Sequence, residues 1–121
     1  MQWVILIGNE DLDINSVRKI KHFGENKITD LSPNRFVVDY GDEHVFYEYV
    51  EDLIKDYKIE ELKKIPFQNP HFIMMTYTSE KLMKKILGQD NFLKGIYVDD
   101  DYGGIVPIEQ FSMLCESGNS H

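Results

Sequence analysis

The chain is poor in the residues that mark secreted, membrane-bound or nucleic-acid-binding proteins. It holds a single cysteine, Cys115, and a lone thiol closes no internal disulfide, so nothing points to a disulfide-stapled scaffold. Its longest apolar runs, Trp3-Val4-Ile5-Leu6-Ile7 and Phe72-Ile73-Met74-Met75, fall far short of the ~20 residues a membrane-spanning helix needs. The first of them also lacks the basic stretch that opens a signal peptide. With no address visible, the cytoplasm is the expected location. Positive charge is scarce too: 13 Lys and Arg stand against 21 Asp and Glu, a formal net charge of −8. Such a surface repels phosphate backbones and argues against nucleic-acid binding.

What is present is the composition of a folded domain. Of 121 residues, 42% are hydrophobic, 12% aromatic and 28% charged, enough apolar material for one core. No repeat, low-complexity tract or linker divides the chain. Residues 1–116 read as one α+β domain and 117–121 as a flexible tail.

Strand one, about residues 2–8, is apolar on both faces and therefore central in a sheet. Asp13 caps a helix carrying Val17, Ile20 and Phe23, which Gly24 stops. Residues 27–31 form a short strand. Arg35 to Tyr40 and Glu43 to Val50 alternate as two strands, and Gly41-Asp42 between them suits a two-residue turn with glycine first. That turn sets the register, pairing Asp39 with His44, Val38 with Val45, Val37 with Phe46, Phe36 with Tyr47 and Arg35 with Glu48. One face then carries core residues. The other carries two polar pairs around Val37–Phe46, which, if exposed, marks a homodimer contact.

Residues 52–65 read as helix, in one piece or two, ending at Pro66. His71 to Tyr77 is a second central strand. Ser79 caps a helix with Leu82, Met83, Ile86 and Leu87 on its apolar side, and Gly88 closes it. Leu93 to Val98 is a strand, Asp99 to Gly104 a turn, Ile105–Val106 extended, and Pro107 opens a last helix bearing Ile108, Phe111, Leu114 and Cys115. The order βαβββαβαββα predicts a mixed sheet packed with helices.

No motif carries a chemistry. Asp99-Asp100-Asp101 lies where oxygen ligands for a divalent cation sit in many α/β proteins. As a calcium loop, however, it places Gly103 at position 5 and Gln110 at position 12, where the bidentate glutamate belongs. As a phosphatase D-x-D it has Gly103 where a hydroxyl residue is required. Asp11-x-Asp13-x-Asn15 has Ser16 where a calcium loop needs glycine. Gly8 is followed by no further glycines at dinucleotide-loop spacing. A phospho-receiver domain needs acids after strand one, a mid-chain aspartate and a late lysine. Here only Glu10 and Asp11 fall near such positions, and the strands at 27–50 break its alternation. Cys115 falls on an apolar stripe, the setting of an inert thiol. His22, His44, His71 and His121 show no ligand spacing.

Three readings fit these residues. The leading one is a small acidic binding protein that docks a basic protein partner, an inhibitor- or immunity-type role by analogy of size and charge. Its contact residues are Asp42, Glu43, Tyr47, Glu48 and Glu51 with Asp99, Asp100, Asp101 and Tyr102, since tyrosine beside acid suits an interface. It assigns no catalytic residue, metal or cofactor. The second is a metal-dependent hydrolase or small-ligand protein built on Asp99–Asp101 with Glu109 or His71. The third is a self-associating domain.

Overall fold

A computed structural model describes residues 2–100 and 104–111. The described chain runs β1 (Gln2–Gly8), α1 (Ile14–Arg18), β2 (Lys27–Ser32), β3 (Arg35–Asp39), β4 (His44–Val50), a 3-10 turn (Leu53–Asp56), α2 (Ile59–Leu62), β5 (His71–Tyr77), α3 (Glu80–Leu87), β6 (Tyr97–Asp100) and β7 (Gly104–Pro107). Residues 108–111 are helical. The fold is α+β, with one seven-stranded sheet in the order β2-β3-β4-β5-β1-β6-β7. The expected tail at 117–121 and the stripe positions Leu114 and Cys115 lie outside the described residues.

Every strand pair in this sheet is antiparallel, where a mixture of directions was expected. The reason is where the helices deliver the chain. The segment bearing α1 carries it from β1 to the far edge at β2. The segment bearing α3 joins β5 to β6, which run the same way but flank β1 rather than each other. Helical crossovers are present, yet none makes parallel neighbours.

β1 and β5 lie side by side in the middle of the sheet, as strands apolar on both faces must. One face buries Leu6, Phe36, Val38, Val45, Tyr47, Ile73, Met75 and Val98 beneath Val17 of α1 and Leu82, Met83, Ile86 and Leu87 of α3. Truncating a fully buried member such as Ile73 to alanine costs about 2–5 kcal/mol. The opposite face is covered only in part. There Ile5, Ile7, Phe72 and Ile105 pack beneath Ile65, with Leu53, Tyr57, Leu62 and Phe67 around them.

The β3–β4 hairpin has the register that its turn dictates, from Arg35 opposite Glu48 to Asp39 opposite His44. Gly41 sits at φ +95, a conformation that disfavours side chains. The Asp39 carboxylate accepts from the Gly41 N–H at 2.8 Å and lies 3.2 Å from His44 Nε2. The Val37–Phe46 pair is not openly exposed. Val37 is buried, Phe46 is half-buried, the Arg35 guanidinium lies 5.1 Å from the Phe46 ring centre, and His44 stacks beside it. Arg35 and His44 thus lie beside a pair that is only partly exposed.

α3 runs as expected from its Ser79 cap to Gly88, but the helical segments before it are shorter than their sequence periodicity implied. α1 ends at Arg18, because the chain then turns to place both Ile20 and His22 in the interior. Its start is as expected, with the Asp13 side chain accepting from Ser16 N–H at 2.8 Å. The 52–65 helix is two short pieces, broken at Tyr57, whose extended backbone lets the ring stack on Phe72. The strand expected at 93–98 lies instead at Tyr97–Asp100. No helix among the described residues is long and apolar enough to cross a membrane.

Candidate binding cleft

The partial cover leaves a step on the second face of the sheet, and the step is a cleft of about 470 Å³. Strand alternation supplies its floor: Trp3 and Ile5 of β1, Met74 of β5 and Asp99 of β6 all project to this side. Its wall is the cover segment, which contributes Leu53, Asp56, Tyr57 and Glu61. Asp100 and Gly104 border its end.

One hydrogen bond ties wall to floor. The Tyr57 hydroxyl donates to Asp99 Oδ2 at 2.7 Å. Burial, then the adjacent Asp99 carboxylate, pushes the Tyr57 phenol far above its ordinary range, so it stays protonated and remains the donor. Glu61 accepts the Lys58 N–H at 2.9 Å, closing the first turn of α2. The result is an apolar and aromatic floor flanked by carboxylates from two sides, Asp56 and Glu61 on the cover and Asp99 on the sheet. It can hold a cationic group that also carries apolar surface.

The sheet extends this surface beyond the cover. Asp99, Ile5, Met74, Glu48 and Arg35 form one cross-strand row, and Trp3, Thr76, Phe46 and Val37 form the next. Glu48 is exposed and stands three strands from Asp99, about 14 Å at ~4.8 Å per strand.

The residues expected to bind a partner are therefore divided. Glu48 and Asp99 share the cleft face. Glu51 is exposed where β4 gives way to the cover, and Asp42 and Glu43 occupy the hairpin turn. Asp101 and Tyr102 lie outside the described residues. Tyr47 is a correction. It is wholly buried on the opposite face, stacked on Phe36, with its hydroxyl 2.8 Å from His22 Nε2, so it offers nothing to a partner. Tyr40, likewise, donates its hydroxyl to the Phe23 carbonyl at 3.0 Å. Tyr40 and Tyr47 point inward, each hydroxyl meeting an internal acceptor.

Among the described residues, the side chains suggested for a hydrolase are not brought together, and Asp101 lies outside those residues. Asp99 and Asp100 are consecutive in β6, and consecutive strand residues face opposite sides. His71 projects to the face opposite Asp99, with Nδ1 3.1 Å from the Leu12 carbonyl. Glu109 accepts the Gly95 N–H at 3.1 Å, a bond that holds its carboxyl below the usual range. Among the described residues, no three His, Cys, Asp or Glu side chains converge as metal ligands.

Sequence reading missed Trp3, Asp56, Tyr57, Glu61 and Met74. The available signals were the lone tryptophan in a doubly apolar strand and the run of acids from Glu51 to Glu61. No family model, curated protein or solved structure matches this chain.

Proposed function

We propose that the protein is a small acidic binding protein that docks a basic protein partner, in an inhibitor- or immunity-type role, through the partly covered sheet face. The observation that carries this reading is the cleft itself, a concavity floored by Trp3, Ile5 and Met74 and flanked by Asp56, Glu61 and Asp99. Net charge of −8 supplies long-range steering toward positive surfaces, and the aromatic floor supplies contact area once charge has brought the partner in.

The test is capture of partners from lysate on the immobilised protein at about 0.02 M and about 0.5 M NaCl, on either side of the ionic strength where screening reaches ~10 Å. Captured proteins are then identified, purified and mapped by hydrogen exchange. The reading requires a basic partner released by salt that protects β1, β5 and residues 53–61. A partner indifferent to salt, or protection confined to the α1 and α3 face, overturns it.

A further inference from the structure

Resting on that reading, we propose that the cleft receives an arginine side chain of the partner, with the guanidinium between the cover carboxylates and Asp99 and its methylene stem on Trp3 and Met74. The carboxylates approach from two directions, Asp56 and Glu61 from the cover and Asp99 from β6. An ammonium is a compact, strongly hydrated point charge with three donors and no plane to lay on an aromatic ring. A guanidinium spreads five N–H donors over a rigid plane and can serve both sides together. Its plane also stacks on an aromatic face, and Trp3 is a half-buried aromatic side chain on the floor.

Two other concavities lack this combination. In the one between α1 and β2, Arg18 already pairs with Asp30 at 2.7 Å, so its cation and anion are mutually satisfied. In the one between residues 9–11 and 66–69, Glu10 and Asp11 lie on the same loop and no carboxylate opposes them.

Trp3 is the only tryptophan, so its fluorescence and its indole N–H resonance report on the cleft in the native protein. The experiment titrates the full chain with a blocked oligo-arginine peptide and an oligo-lysine peptide of equal length at low salt. The inference predicts that oligo-arginine binds about tenfold tighter and shifts the Trp3 indole resonance. Asp56→Asn and Glu61→Gln should each reduce that preference, whereas Asp90→Asn, exposed just after α3 on the opposite side of the sheet, should leave it intact. Equal affinity for the two peptides, or binding that leaves Trp3 unperturbed, overturns the arginine assignment while a salt-sensitive basic partner would still stand. Failure of both peptides to bind, together with failure to capture a basic partner, removes the broader reading as well.

Discussion

At the residue scale, His22 shows how a polar group enters this core and ties stability to pH. Its ring is almost wholly buried, with Nδ1 3.1 Å from the Ile20 carbonyl and Nε2 2.8 Å from the Tyr47 hydroxyl. A carbonyl can only accept, so Nδ1 carries the proton and Nε2 accepts from Tyr47. Burial pulls the imidazole below its ordinary value of 6.5, so the folded protein holds His22 neutral where the unfolded chain would protonate it. The unfolded state then binds more protons below about pH 6.5, and stability must fall as pH drops from there toward the depressed folded value. Urea unfolding at pH 7.5 and 5.5 should show this loss, and His22→Gln should lose less over the same interval; equal losses would refute the assignment. Tyr47→Phe should cost about 1–3 kcal/mol at neutral pH, because it strands Nε2 in the interior. The hairpin register already set Tyr47 beside Phe36 on the core face, but its bond to His22 was not legible in the sequence, where the two residues lie far apart. A contact between residues 22 and 47 exists only once α1 has been laid over β4.

At the element scale, legibility tracked how local the determining interaction is. The hairpin register could be read because a two-residue turn and a period-two pattern both lie within residues 35–50. α3 could be read for the same reason, its Ser79 cap and apolar stripe being contiguous. The cover segment could be read only as helix in one piece or two, since its break at Tyr57 is set by Phe72 and Asp99 in distant strands. The cleft was hidden with it: its floor comes from β1, β5 and β6, and only the sheet order brings them together. The hairpin also yields a clean backbone test. A Cβ at Gly41 would meet nothing within 4 Å, while φ is +95, so Gly41→Ala measures conformational cost alone. It should destabilise by about 1–2 kcal/mol, and Asp42→Ala at the next position should cost far less. Equal effects on chemical denaturation would mean that the turn geometry does not fix this hairpin.

At the scale of the whole molecule, the decisive quantity is the excess of acid over base. Ion pairs among the described residues join Arg18 to Asp30, Lys55 to Asp52 and Lys84 to Glu80. All three are solvent-accessible, and such pairs contribute about 0–1 kcal/mol each. They do little to offset the self-repulsion of a chain carrying −8, which weakens the compact state more than the expanded one. Raising NaCl from about 0.02 M to about 0.5 M shortens the screening length to a few ångströms and should raise the thermal midpoint. Sulfate is unsuitable because it also strengthens burial of apolar surface. Docking of a basic partner must respond in the opposite sense, weakening over the same salt range, because there the charges attract. Opposed salt trends in stability and binding are the signature of an acidic surface whose excess charge is matched by a partner rather than within the chain. A midpoint that falls with salt would show that internal ion pairs outweigh the repulsion, and would remove the electrostatic basis for that surface.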